Sequence, residues 1–121
     1  MTAAGIDNNH NGIRDEVDAL ISREYQESVA QTKYAQQLAR AMQVSATIVK
    51  PSRDQATSIL KTNMLGVACL RYNTSTDKGD ADVSKLTAAT FNTTGRRKNN
   101  EEVGLIAGII SISVPRSDAC K

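Results

Sequence analysis

The sequence predicts an all-α fold, a small bundle of about four helices with a long first helix. Three observations predict it. Apolar residues recur at spacings of three and four through residues 15–49, a stretch with no proline and no glycine. Pro51, Gly95 and Gly108 stand at the joints of the periodic stretches that follow. The alternation that marks a strand is confined to one short run, where Ile110, Ile112 and Val114 alternate with Ser111 and Ser113. A chain of 121 residues is one domain.

Ahead of the first helix stands Asp7-Asn8-Asn9-His10-Asn11-Gly12-Ile13-Arg14-Asp15-Glu16-Val17-Asp18. A calcium ion takes six to eight oxygen ligands at roughly 2.3–2.6 Å, and a twelve-residue loop supplies them from positions 1, 3, 5, 7, 9 and 12. Counted from Asp7, these are Asp7, Asn9, Asn11, the carbonyl of Ile13, Asp15 and Asp18, with Gly12 at the sharp turn of position 6. Three carboxylates and two amides are hard oxygen donors, suited to a divalent hard cation rather than a transition metal. The competing explanation is a tail rich in turn formers that only caps the helix. His10, the single histidine, falls on a non-ligand position and reads as a solvent-facing spacer.

This spacing resembles the calcium loops of thrombospondin type 3 repeats and of dockerins, which are variants of the EF-hand loop. The resemblance covers residues 7–18. It implies Asp18 as the bidentate ligand and Asp15 as a direct or water-mediated one. Both families carry tandem loops and this chain has one copy; the EF-hand prefers an apolar residue where Arg14 stands. A lone loop at a helix start reads as a structural staple, because groove opening needs a second hand beside it.

The first helix is expected over 15–49, with Val17, Leu20, Ile21, Tyr25, Ala35, Leu38, Ala39, Met42, Ala46 and Val49 on its apolar stripe. Ser28 and Thr32 interrupt the stripe. At 1.5 Å per residue it would run about 50 Å, longer than a domain of this size, so part of it projects, bends or meets a partner. Pro51 ends it, and Ser52-Arg53-Asp54-Gln55 has the form of a capping box for a helix over 52–72. A polar loop at 73–79, a short helix at 82–91, a fourth at 95–107 and a tail at 109–121 follow.

Forty per cent of residues are hydrophobic, yet there is one Phe and no Trp, so the core rests on small aliphatic side chains. A net charge of +2 gives no global case for nucleic acid or an anionic membrane. No apolar run reaches the ~18 residues of a membrane span. Cys69 and Cys120 are expected to form a disulfide closing a long loop, which places the chain in the periplasm or outside the cell. Residues 1–4 have neither the charge nor the apolar run of a signal peptide, so a leader is expected to have been removed.

No nucleophile–base arrangement is apparent, and the chain is not expected to be an enzyme. Glu24 and Glu27 share a face of the expected long helix without sign of burial. Asn73-Thr74-Ser75 and Asn92-Thr93-Thr94 match glycosylation sequons, a match frequent by chance in a chain rich in Asn and Thr. The whole layout loosely resembles small secreted helical proteins of Gram-negative bacteria: an Asn-Gly-Ile-Arg-Asp loop, a long helix, a mid-chain Cys, the Asn92-Thr93…Arg96 segment and a C-terminal Cys. Among such proteins, periplasmic immunity proteins of type VI secretion systems bind and inhibit peptidoglycan hydrolases. The resemblance implies a partner surface, for which Asn73, Thr74, Ser75, Thr76, Asp77 and Lys78 are the first candidates and Arg96, Arg97 and Lys98 the second. The alternative is a structural calcium-binding envelope or adhesion module, or a homodimer with no inhibitory role.

Overall fold

A computed structural model describes residues 5–108 and Cys120, and among these described residues there are five helices. They are α1 (Asp15–Glu24), α2 (Val29–Thr47), α3 (Arg53–Asn73), α4 (Thr76–Thr90) and α5 (Thr94–Ala107). Among the described residues there are no strands, as the all-α expectation requires. The expected tail, with its alternating run at 109–114, lies outside the described residues apart from Cys120.

The long first helix is two helices, and this is why there are five rather than about four. Tyr25 caps α1 by donating its N–H to Ile21 O, and Ser28 then accepts from Gln31 N at 3.1 Å to start α2. The Tyr25 carbonyl, freed from helical pairing, receives Ser28 N at 3.0 Å and the Thr32 hydroxyl at 2.9 Å. Ser28 and Thr32, the two residues that interrupted the apolar stripe, therefore build the corner. The bend lets Val17, Ile21 and Tyr25 fold back onto Ala35, Leu38, Ala39 and Met42, all buried in one cluster with Ile13, Leu70 and Leu86. Each large aliphatic group buried in this way contributes about 1.5–3 kcal/mol. Glu24 ends α1 and Glu27 lies in the turn, so the two share no helix face.

The capping box forms as expected: Gln55 N donates to Ser52 Oγ at 3.1 Å, and Ser52 N to Gln55 Oε1 at 2.9 Å. The polar loop expected at 73–79 does not form. Asn73 is still in α3, and α4 begins at Thr76 because Ser75 Oγ accepts from Lys78 N at 3.1 Å. Gly79 is a packing residue inside α4, not a breaker. A Cβ there would stand 2.8 Å from the Arg71 Cα. Thr93 starts α5 by accepting from Arg96 N at 3.2 Å, and Gly108 ends it with a positive φ.

Helix α2 is the centre of the bundle, touching all four others, whereas α1 rests on α2 and α4. Close approach depends on small residues: a Cβ on Gly66 of α3 would meet Leu38 at 3.0 Å. A second buried cluster, Ala56, Ile59, Val103 and Ala107, joins α3 to α5. The Cys69–Cys120 disulfide ties the end of the chain to α3, and Tyr34 of α2 donates its hydroxyl to Cys120 O at 2.9 Å. Among the described residues no helix is long and apolar enough to cross a membrane.

Candidate metal centre

The loop that leads into α1 is folded by its own short side chains. Asp7 accepts from Asn11 N at 3.3 Å through Oδ1 and from Gly12 N at 3.0 Å through Oδ2. Asn9 Oδ1 accepts from Asn11 N at 3.4 Å, and Asn11 Oδ1 from Ile13 N at 3.0 Å. These local side-chain-to-backbone bonds are what Asx residues do best, and they wind the loop around Gly12 at φ 83°. Asp15 N closes its base by donating to Ile6 O at 2.8 Å. Arg40 of α2 holds its outer turn through Nε to Asn11 O at 2.9 Å, and buried Ile13 anchors it in the core.

Four of the six expected ligand residues come together. Asn9 and Asn11 donate their amide N–H groups to Asp18 Oδ2 at 3.1 and 2.7 Å, and Asp7 shares Asn11 N with Asn9. Asp15 turns away, accepting from Asn8 N at 3.0 Å and Asn8 Nδ2 at 2.7 Å. Among the described residues no three His, Cys, Asp or Glu side chains gather as a metal-holding group. What these four residues offer is a mixed oxygen set: the carboxylates of Asp7 and Asp18 and the amide oxygens of Asn9 and Asn11. Each amide oxygen spends one lone pair on a backbone N–H and keeps a second. That chemistry fits a hard divalent cation. His10 is exposed, at φ 55°, outside the donor set.

Behind the loop lies a buried polar hub that was not legible in the sequence. Arg14 is 1% exposed, and its guanidinium donates to Glu16 Oε1 (2.7 Å), Gln43 Oε1 (3.2 Å), Thr90 O (3.1 Å), Ala89 O (2.7 Å) and Asn92 Oδ1 (3.5 Å). Five N–H groups meet five acceptors, the full capacity of the fork. Two acceptors are final carbonyls of α4, so the cation caps that helix. Arg96 lies beside it, also 1% exposed, donating to Asn92 Oδ1 at 2.6 Å and standing 3.7 Å from Glu16. Burial and the neighbouring Arg14 charge lower its pKa from the ordinary guanidinium value, while Glu16 acts in the opposite direction. The signal available in the sequence was Arg14 itself, standing at a loop position that favours an apolar, inward side chain.

The expected partner surfaces divide. Arg96 is in the interior, a correction to its place in a surface patch: its side chain is spent on the α4–α5 corner. Arg97 and Lys98 are exposed, and Arg97 donates to Phe91 O at 3.2 Å. Asn73, Thr74, Ser75, Thr76, Asp77 and Lys78 are exposed but form a helix junction rather than a projecting loop. Lys78 reaches down to Asp82 at 2.6 Å, which is fully buried and also accepts from Gln31 Nε2; Asn73 donates to Gln31 Oε1. Asp82 occupies the inward stripe of α4 with Gly79, Leu86 and Thr90, a spacing that marks it as interior. Burial first, then Asp82, raises the Tyr25 phenol above its usual pKa. Both sequon asparagines use their side chains within the fold. No protein-family model, curated protein or solved structure matches this chain.

Proposed function

We propose that this chain is a calcium-stapled helical binding protein of the periplasm or another oxidising compartment, which acts by contact with a partner protein rather than by chemistry. The observation that carries the reading is the loop: Asp7, Asn9 and Asn11 are wound together by backbone N–H bonds of the kind a calcium loop needs, and Asp18 joins them through the side-chain amides of Asn9 and Asn11. Asp7, Asn9, Asn11, Ile13, Asp15 and Asp18 would hold the ion, Asp15 after release from Asn8 or through water. The Cys69–Cys120 bridge supports an oxidising compartment. The buried ionic groups, Arg14, Arg96 and Asp82, are each engaged by neighbours that position helices, which supports a framework role over a catalytic one.

The specific form favoured is an inhibitor, an immunity protein that neutralises a peptidoglycan-hydrolase effector of a type VI secretion system. The second reading is a structural calcium-binding envelope module or a homodimer. Calorimetric titration with CaCl₂ tests the first half, and Asp18→Asn is expected to remove the binding heat. At a hundredfold excess of free calcium over its Kd, the ion stabilises the fold by about 2.7 kcal/mol in a thermal melt. A protein whose melt and heat are indifferent to calcium would sink the metal reading. Pull-down from the envelope fraction with calcium or chelator tests the second half. Stoichiometric capture of a cell-wall hydrolase, with loss of its activity in the complex, supports inhibition. A self-associated species by light scattering, with no hydrolase bound, supports the structural module.

A further inference from the structure

We infer that Arg14 makes the loop and the α4–α5 corner one cooperative unit, so that a divalent cation held in the loop orders residues 89–97. The inference rests on the calcium reading and adds a destination for its effect. Arg14 follows Ile13 directly, so the peptide whose carbonyl is an expected ligand also carries the guanidinium that enters the interior. Its partners there are remote in the chain: Gln43 is 29 residues away, Ala89 75, Thr90 76 and Asn92 78. Glu16, between the expected ligands Asp15 and Asp18, accepts from Arg14 at 2.7 Å and lies 3.7 Å from Arg96 of α5. Gly5 closes over the pair at φ 66°, where a Cβ would overlap the Arg14 side chain. The hydrogen bonds from the loop to residues 89–92 therefore run through one fork, with the Glu16–Arg96 pair beside it.

The physical basis is differential. Without a cation, the carboxylates of Asp7 and Asp18 are offset only by neutral N–H donors of the loop, and the Ile13 carbonyl lacks the ion that would further fix the Ile13–Arg14 peptide. Withdrawal of Arg14 leaves the carbonyls of Ala89 and Thr90 without their cap and removes a bond from Asn92. The corner frays as a unit. It bounds an open cleft of about 380 Å³ lined by Thr87, Ala88, Phe91, Arg97, Asn100 and Glu101, so loop occupancy sets the shape of a surface on the far side of the Arg14 contact. By thermodynamic reciprocity, loosening the corner must weaken cation binding by the same factor.

The test uses the full chain with CaCl₂ or chelator. Hydrogen exchange is followed over 89–97 and, as an unconnected control, over the start of α3; calorimetry gives the calcium Kd. The expected result is slower exchange at 89–97 with calcium, unchanged exchange in α3, and a Kd weakened roughly three- to tenfold by the corner variant Asn92→Ala. Arg14→Lys, which retains charge but not the fork, is expected to keep calcium protection in 7–18 and lose it in 89–97. Calcium binding that protects 7–18 alone in the native protein, or protection of 89–97 that survives Arg14→Lys, overturns the coupling and leaves the calcium reading standing. Absence of calcium binding overturns both.

Discussion

Two helical glycines give opposite outcomes for the same substitution. Replacing glycine by alanine inside a helix gains about 0.8–1 kcal/mol from backbone entropy. Gly104 of α5 has nothing within 4 Å of the added Cβ among the described residues, so Gly104→Ala should show that gain almost undiminished. At Gly79 of α4 the Cβ would lie 2.8 Å from both Cα and Cγ of Arg71 and 2.9 Å from its N. Ordinary contact begins at 3.4 Å, so α3 and α4 must part by about 0.6 Å (3.4 − 2.8), and a backbone atom cannot rotate aside. Overpacking of this kind costs about 1–3 kcal/mol, which offsets or exceeds the propensity gain. Gly79→Ala is thus expected to lose up to about 2 kcal/mol, and the two variants to differ by about 1–3 kcal/mol. Urea unfolding followed by circular dichroism reads this directly, with about 4 °C in Tm per kcal/mol as a check. If Gly79→Ala stabilised the protein as much as Gly104→Ala, the close α3–α4 approach, and with it the explanation of the missing 73–79 loop, would be wrong.

Removing the disulfide by Cys69→Ala with Cys120→Ala reopens a separation of 51 residues. The chain-entropy model puts the loss at about 4 kcal/mol, measured by urea unfolding; a loss under about 1 kcal/mol would show that the bridge constrains little. Tyr25 carries the alkaline prediction: its folded pKa is raised above the unfolded value of 10.0, so the neutral phenol is the form the fold favours. Its contribution is fully present below pH 10 and is lost as pH rises above that, because the unfolded chain ionises first. Tyr25→Phe is expected to flatten that decline and leave the native tyrosinate absorbance near pH 11 unchanged, while lowering the denatured absorbance. A matching fall in the native signal would contradict a protected phenol.

The helical stretches were legible because each buries one stripe, and a period of three and four survives in the residues whatever the tertiary context. Their joints were legible only where chemistry forced them. Pro51 with its Ser52–Gln55 box announced itself, whereas the corner at 25–28 contains neither proline nor glycine. It is made by Ser28 and Thr32, whose hydroxyls can bond the backbone inside a helix as well as at its start. Gly79 misled for the converse reason. A glycine beside polar residues reads as a breaker unless the neighbour it admits, here the Arg71 backbone, is known. The loop at 7–18 was visible as a pattern, since its bonds are local. The hub behind it was not, because the acceptors that make a buried arginine tolerable come from 43, 89, 90 and 92. Asp82 is similar: its position on an inward stripe was readable, but Gln31, which shares it with Lys78, arrives from another helix.

A core with one Phe and no Trp needs help at its edges, and both the N-terminal loop and the disulfide-bonded Cys120 reach the same helix. Tyr34 of α2 binds the carbonyl of Cys120, beside the disulfide, while Arg40 and Gln43 of α2 bind the loop at Asn11 and Arg14. Tyr34 and Arg40 are six residues apart, about 9 Å along the helix axis. That is near the 7–10 Å at which perturbations cease to couple, so the two ends of the chain are held by separate attachments to one central element. On the calcium reading, the loop then governs α1 and the α4–α5 corner, and the bridge governs the C-terminal end against α3. Neither attachment substitutes for the other, because α1 has no contact with α3 or α5 of the kind that α2 makes with every helix.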